Sequence, residues 1–442
     1  MRKFSIFFTV VFLASLIILE PYPVSAQKMP PPGTGFTKNF KAGQILVKFK
    51  DGFSDSTSDS TINTLLSRIQ AKKIRHLLLR NVKLLQVPEG RELDILEQLN
   101  KEAFIDYAEL NYIFQAFDTV PNDPKFYRQW GHTKIQSTSA WDISKGNNSI
   151  SIAIIDSGID ETHPDLAGKI VAGYDFVDDD TNPHDEHGHG THVSGIAAAQ
   201  TNNSVGIAGA AWQTMIMPLR VLDEHGDGSN SDISDAIVWA YQHGAKIINM
   251  SLGGSTFSQT MLDAVNSAHD AGALIVAAMG NDTTSTPAYP AAYNNVMAVS
   301  ATGPSDVKAN YTNFGDHCDI SAPGGEMSYY HDPGGIYSTM PTYPVYDTTS
   351  LWFDNNYDYD RGTSMAAPFV SGLASLVWAL DPTMTQDDVQ SAIEDNADDL
   401  GSLGWDQYYG HGRINAYKTL KAVLDAQKKP VSPAVLNLLL FN

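Results

Sequence analysis

Short apolar runs alternate with helix-patterned segments along most of this chain. The runs that predict buried strands are residues 150–155, 215–221, 246–250, 273–278 and 296–301. Apolar residues recur at helical spacing in residues 190–199, 231–243, 259–271 and 363–380. Buried strands that alternate with helices predict a three-layer α/β fold with a central, mostly parallel sheet.

A different pattern precedes this region and predicts a small α+β unit. Residues 44–49 and 82–87 read as strands, residues 91–102 carry apolar positions at helical spacing, and residues 107–114 read as a final strand. By contrast, residues 329–360 are rich in Tyr, Asp, Asn and Pro without periodicity. We expect that segment to be an extended surface loop.

The first residues have the pattern of a signal peptide. Arg2 and Lys3 precede an apolar run over residues 4–19, and small residues end it at Ala26. Cleavage is expected after Ala26, which predicts secretion. The alternative is an uncleaved membrane anchor, but the run is shorter than the roughly 20 residues that a spanning helix needs.

Composition narrows the possible partners. The chain of 442 residues has a formal net charge of -21, which repels nucleic acid and anionic membranes and argues against both as partners. Its one cysteine, Cys318, excludes an intrachain disulfide. Cys318 lies in a strand-like stretch, where we expect a buried, inert thiol.

Three segments carry side chains suited to chemistry. Asp156 ends an apolar strand, His189 lies in a glycine-rich loop that opens a helix, and Ser364 lies in the first turn of an apolar helix. Each segment alone has other readings, since such an aspartate can ligate a metal and such a serine is often an N-cap. A metal site built from four neighbouring residues is a further alternative. Its members would be Asp185, His187, His189 and His192.

Together these segments resemble the subtilisin-like serine proteases, with Asp, His and Ser in that family's chain order. The resemblance covers about residues 118–424 and is especially close to the thermitase-like branch. It implies that Ser364 is the nucleophile, that His189 takes its proton and that Asp156 orients the imidazole. It also implies that Asn281 stabilises the oxyanion together with the backbone N–H of Ser364. His192 is then a structural histidine.

The resemblance extends to substrate binding. It places Ser251, Leu252 and Gly253 on one side of an extended peptide and Gly226 and Gly228 on the other side. Ala288 matches the floor of the pocket for the residue before the scissile bond. A small floor residue implies a preference for large apolar or aromatic side chains, so the expected substrates are proteins and peptides.

The resemblance also divides the chain. Residues 1–26 are expected to be the signal peptide from their own pattern, and the resemblance implies that residues 27–117 are a linker and an α+β propeptide that acts as chaperone and inhibitor. Residues 118–424 are then the expected peptidase domain, and residues 425–442 an expected tail. Self-cleavage is expected after Phe117, and the mature enzyme is expected to be a monomer.

Calcium is the cofactor that the resemblance implies. Asp123, Asp165 and Asn203 match oxygen ligands of the family's tight site. The remaining ligands of that site are backbone carbonyls near Thr201, Val205 and Ile207. A second site would use Asp175, Asp178 and Asp180, although His184 stands there in place of an amide ligand.

Two other functions compete with a serine protease. A catalytically inactive family member would bind peptides without labelling at Ser364. A metallohydrolase would lose its activity with a chelator and would ignore serine reagents.

Overall fold

The computed structural model describes residues 40–51, 60–113 and 118–427. The predicted signal peptide, the linker before residue 40, the cleavage site after Phe117 and the tail from residue 428 lie outside the described residues. The described residues form two compact units, one before and one after the gap at residues 114–117.

The first unit is a four-stranded antiparallel sheet with two helices. Its elements are β1 (Phe40–Phe49), α1 (Ser60–Arg68), β2 (Lys72–His76), β3 (Val82–Gln86), α2 (Glu92–Leu99) and β4 (Ile105–Tyr112). The strand order is β2-β3-β1-β4, and Ile45, Val47 and Ile95 lie in its buried core. The predicted α+β unit is present, but α1 and β2 were not predicted.

The second unit is built around a seven-stranded parallel sheet. Its strands are β5 (Ser151–Asp156), β6 (Tyr174–Asp175), β7 (Met215–Arg220), β8 (Ile247–Met250), β9 (Leu274–Ala278), β10 (Val296–Thr302) and β11 (Ile320–Pro323). Two further strands, β12 (Ile336–Thr339) and β13 (Tyr357–Asp360), form a separate antiparallel pair. The order across the main sheet is β11-β10-β9-β8-β5-β7-β6.

Helices cover both faces of the main sheet. The helices of this unit are α3 (Trp130–Lys134), α4 (Ser137–Ala140), α5 (His189–Ala198), α6 (Asn230–Gln242), α7 (Gln259–Asp270), α8 (Tyr346–Ser350), α9 (Thr363–Leu380), α10 (Gln386–Glu394) and α11 (Ala416–Gln427), with a 3₁₀ turn at Phe126–Arg128. Alternate residues of β5 divide between two cores. Ile152 and Ile154 pack with α5 and α9 on one face, whereas Ala153 and Ile155 pack with α6 and α7 on the other face.

The predicted three-layer α/β fold is therefore confirmed, and each predicted strand and helix of this sheet agrees with the structure to within one residue at either end. Among the described residues, α9 is the one helix long and apolar enough to cross a membrane. Most of α9 is buried in the first of the two cores.

The prediction of an extended surface loop over residues 329–360 is wrong. The segment contains β12, α8 and β13, and the hydroxyls of Ser338 and Thr339 are buried against α5. Ser338 Oγ donates to the carbonyl of His192 at 2.7 Å, and Thr339 Oγ1 donates to the carbonyl of Thr191 at 2.7 Å. At these positions buried hydroxyl groups replace the apolar side chains that would produce a hydrophobic period. The sequence pattern therefore does not reveal β12.

The parallel sheet determines where functional side chains gather. Because all its strands run the same way, their carboxyl ends lie at one edge. Asp156 ends β5, Ser251 follows β8, and Asn281 lies just beyond β9.

Candidate active site

A buried carboxylate holds the first histidine of α5. His189 Nδ1 lies 2.7 Å from Asp156 Oδ1, and Asp156 is fully buried at the end of β5. The backbone N–H of Ser157 donates to the same oxygen at 2.8 Å, while Asp156 Oδ2 is buried and has no hydrogen-bond partner in the described part of the chain. A buried carboxylate needs such partners, because an isolated buried charge is costly.

This pair fixes the acid–base chemistry of His189. Burial lowers the pKa of His189, but the charge and hydrogen bond of Asp156 outweigh it and raise the pKa to about 9. The more distant carboxylates of Asp360 and Asp347 add to this effect. The ring is therefore a strong proton acceptor.

A second buried carboxylate closes the start of α5. Asp185 accepts hydrogen bonds from the backbone N–H groups of Gly188 at 2.8 Å and Thr191 at 2.9 Å, and from the hydroxyls of Thr191 and Ser157. These are the N–H groups that a helix start leaves without partners. Asp185 thus anchors the turn from which His189 projects.

The alternative metal site finds no support in these contacts. His189 is paired with Asp156, and Asp185 accepts hydrogen bonds from the start of α5. The His192 ring is buried, and its Nε2 lies 3.2 Å from the carbonyl oxygen of Asp358. Burial lowers the pKa of His192 to about 3, so its ring is neutral. The prediction that His192 is structural agrees with its position.

Ser364 is the second residue of α9 and lies four positions before Pro368 in the same helix. Pro368 has no N–H to donate to the carbonyl of Ser364 four residues before it. That carbonyl instead accepts a hydrogen bond from Ser251 Oγ at 2.8 Å. In return, Ser364 Oγ donates to the carbonyl of Ser251 at 3.1 Å, its only hydrogen bond within the described part of the chain.

Two hydrogen-bond donors converge beside Ser364. Asn281 Oδ1 accepts from the backbone N–H of Thr363 at 2.9 Å and from its hydroxyl at 3.0 Å, and among the described residues Asn281 Nδ2 donates no hydrogen bond. A Cβ placed on Gly362 would lie 3.4 Å from Asn281 Nδ2 and 3.5 Å from Ser364 N. Both nitrogens therefore face one small region, and glycine keeps that region open.

Two cavities adjoin these residues. A cleft of about 740 Å³ is lined by His189, Gly226, Gly228, Ser251, Leu252 and Gly253. A smaller cavity of about 290 Å³ is lined by Ser364, Asn281, Ala288, Leu252 and Gly253. All the predicted catalytic and substrate-binding residues therefore line one cavity or the other, apart from the buried Asp156.

The sequence reading missed several residues that line the larger cleft. They are His187, His225, Phe257 and Tyr289. Phe257 and Tyr289 pack edge to face with ring centroids 5.5 Å apart. Of these four residues, only His187 stands out in the sequence, because it lies two positions before His189. On the sequence alone, it is a possible metal ligand.

The residues predicted for the first calcium site form a set of oxygen donors. Asp123 and Asp165 are buried, which raises the pKa of each carboxyl, and Asn203 Nδ2 donates to Asp165 Oδ1 at 2.9 Å. The nearby carbonyls of Thr201, Val205 and Ile207 accept no hydrogen bond from the described residues. Buried carboxylates and free carbonyls are the ligands that calcium prefers, so this set fits a calcium ion.

The second predicted set already has a cation. The buried guanidinium of Arg220 lies 2.9 Å from Asp175 Oδ2 and 2.8 Å from Asp178 Oδ2, and it also pairs with Glu186. Asp180 Oδ1 accepts from the backbone N–H of Asn182 at 2.7 Å. These residues therefore fit calcium less well than the first set.

One further group that can hold a cation was not predicted. The ligand atoms of His331, Asp354 and Asp358 lie within 4.8 Å of one another, and His331 pairs with Asp358 at 2.7 Å.

The cysteine Cys318 is buried as predicted, and burial raises the pKa of its thiol to about 12.

Comparison with known families matches both units. Residues 147–412 match the peptidase S8 domain of the Subtilase family, and residues 31–111 match the Fervidolysin N-terminal prodomain.

Individual proteins agree with these matches. The thermophilic serine proteinase of Bacillus sp. (strain AK1) is 42% identical over 379 residues, which cover 86% of this chain and 87% of that protein. Thermitase of Thermoactinomyces vulgaris is 42% identical over 303 residues, 68% of this chain and 99% of thermitase. A solved protease from Pseudoalteromonas arctica superposes with a TM-score of 0.63 at 32% identity, covering 69% of this chain and 99% of that one. This chain belongs to the subtilase family, as a thermitase-like serine endopeptidase that carries an N-terminal prodomain.

Proposed function

We propose that this protein is a secreted, self-processing endopeptidase in which Ser364 attacks the peptide carbonyl, His189 takes the serine proton and Asp156 holds the imidazole. The observation that carries the proposal is the 2.7 Å contact between His189 and the buried Asp156, where His189 lines one cavity, Ser364 lines the other, and Leu252 and Gly253 line both. For attack, the Ser364 hydroxyl turns from the Ser251 carbonyl to Nε2 of His189, the ring nitrogen that does not face Asp156.

The reaction proceeds through an acyl-enzyme. Ser364 Oγ bonds to the substrate carbonyl carbon, its proton passes to His189 Nε2, and the carbonyl oxygen becomes an oxyanion. Asn281 Nδ2 and the backbone N–H of Ser364 donate to that oxygen. His189 then gives the proton to the leaving amine, and a water molecule releases the acyl group by the same steps in reverse. Since only neutral His189 accepts the proton, activity should rise with pH towards the raised pKa of about 9.

The substrate peptide would lie as an added strand between the segment beginning at Ser251 and the segment containing Gly226 and Gly228. The side chain before the scissile bond would enter the 290 Å³ cavity, whose lining includes Ala288 and Ala278. Small apolar residues there support a preference for large apolar or aromatic side chains. Cleavage of a random peptide mixture tests this preference.

The prodomain match supports synthesis as a precursor in which the first unit inhibits the second. Relatives named extracellular proteases, among them one from Xanthomonas campestris, support secretion together with the signal-peptide pattern. We further propose a structural calcium ion held by Asp123, Asp165 and Asn203 with the carbonyls of Thr201, Val205 and Ile207. Bound there, calcium would neutralise the buried carboxylates; a second ion at Asp175, Asp178 and Asp180 stays a prediction.

Expression of the full precursor and of its Ser364→Ala variant tests the proposal. The unaltered precursor should yield a mature chain that begins at Asp118, whereas the variant should stay uncleaved. Equal processing of both proteins would show that Ser364 does not perform the cleavage.

A further inference from the structure

Helix α8 lies against the chain that leads to His189. The backbone N–H of Tyr346 donates to the carbonyl of Glu186 at 3.2 Å, and that of Asp347 donates to the carbonyl of His187 at 3.0 Å. These contacts fix α8 beside the residues that precede the catalytic helix.

Aromatic rings extend this contact to the wall of the larger cleft. The Tyr346 ring stacks on His187 with centroids 5.6 Å apart, and His225 meets Tyr346 edge to face at 5.5 Å. His187 and His225 both line the 740 Å³ cleft. The stack therefore holds the His187 ring in one orientation at the cleft wall.

A nearly buried carboxylate faces one nitrogen of this ring. His187 Nδ1 lies 3.4 Å from Asp347 Oδ2, and the two side chains are only 15% and 7% exposed. Burial lowers the pKa of His187, but Asp347 raises it by more, with a smaller contribution from Asp185 and opposition from His189. The ion pair therefore favours the protonated imidazole.

The other nitrogen faces the predicted substrate-binding segment. A Cβ on Gly226 would lie 3.0 Å from His187 Nε2, so glycine, with a left-handed φ of +82°, lets the ring approach. Within the described ranges, no hydrogen bond reaches His187 Nε2, and Nδ1 has only the 3.4 Å ion-pair contact with Asp347. A protonated ring thus presents an unpaired N–H at the cleft wall.

We propose that His187, held by Asp347, is a specificity-determining residue that donates to an acidic side chain on the substrate, N-terminal to the residue in the 290 Å³ cavity. This inference rests on the proposed function. Nearby carboxylates oppose such a preference, since Asp227 lines the same cleft and Glu224 lies 3.5 Å from His225. The inference is therefore tested by how the preference for an acidic side chain changes between the unaltered enzyme and its variants.

Paired peptides that differ only by Glu or Gln test the inference. The substitution is placed in turn at each of the three positions that precede the cavity residue, and kcat/KM is measured for each peptide. At one position, the Glu/Gln ratio should fall about fivefold in both His187→Gln and Asp347→Asn, the effect of a partly exposed ion pair. In the unaltered enzyme the same ratio should fall as the pH rises through the raised pKa of His187. Ionisation of His189 affects both peptides equally and cancels.

Asp387→Asn is the matched control. Asp387 also pairs with a histidine, His269, at 2.9 Å, but neither residue lines the cleft or the smaller cavity. Its ratio should equal that of the unaltered enzyme.

The outcomes separate the two proposals. If His187→Gln and Asp347→Asn cleave the Gln peptides with unchanged ratios at all three positions, the inference is wrong and the proposed function stands. If the unaltered enzyme cleaves no peptide and a covalent serine reagent leaves Ser364 unlabelled, the proposed function fails and the inference with it. Should Asp347→Asn fail to fold, His187→Gln alone decides the matter.

Discussion

The ion pair between Asp156 and His189 gives a prediction whose size follows from the structure. Burial alone lowers the pKa of His189, and the carboxylates raise it to about 9 from an ordinary value of 6.5. In Asp156→Asn the burial remains and the principal opposing charge is gone, so the pKa should fall below 6.5. The change corresponds to at least about 3.4 kcal/mol of lost stabilisation of the imidazolium.

The same loss should appear in the rate, because the imidazolium forms in the transition state. If the whole of it is expressed there, kcat falls at least about 300-fold. Histidine NMR titration in a Ser364→Ala background, which prevents self-digestion, measures the pKa, and peptide hydrolysis measures kcat. Asp387→Asn, with its exposed carboxylate, should change neither quantity. A His189 pKa that stays near 9 in Asp156→Asn, or a kcat within tenfold of the unaltered enzyme, would refute the reasoning.

Three further predictions follow from the same structure. Asn281→Ala should lower kcat about 10²–10³-fold with little change in KM, since its amide meets the oxyanion only in the transition state; a loss confined to KM in steady-state assays would contradict this role. A chelator should lower the melting temperature, because calcium at 100 times its Kd stabilises by about 2.7 kcal/mol; the calorimetric shift should vanish in Asp165→Asn, and its persistence would place the ion elsewhere. Gly195→Ala should destabilise the fold, because the added Cβ would lie 2.2 Å from Thr339 Oγ1. Such overpacking costs about 1–3 kcal/mol, which exceeds the roughly 1 kcal/mol gained in helix propensity. A higher urea midpoint for the variant would show that β12 does not pack tightly against α5.

The sheet and its helices were predictable because burial on both faces leaves a strong apolar pattern. Asp156, Ser251 and Asn281 could then be assigned to one edge, since the carboxyl ends of parallel strands must meet there. The pattern fails at β12, where Ser338 and Thr339 face inward and hydrogen-bond to α5 instead of packing apolar groups. A search for hydrophobic periodicity cannot find such a strand.

Long-range pairs were also hidden from the sequence. The carboxylates of Asp175 and Asp178 suggested calcium, but Arg220, more than forty positions away along the chain, reaches both of them from the end of β7. The contact between His187 and Asp347 joins segments still further apart in sequence. Only the fold brings such charges together, and it decides whether an acidic run meets a metal ion or an arginine.

Covalent labelling tests the central claim most directly. The mature enzyme is treated with an active-site-directed fluorophosphonate, and the modified residue is located by peptide mass spectrometry. One adduct per molecule on the Ser364 oxygen, formed at a rate that rises with pH and lost in His189→Ala, is the expected result. Full peptidase activity after exhaustive treatment, or an adduct on any other serine that accounts for the inactivation, would contradict the assignment.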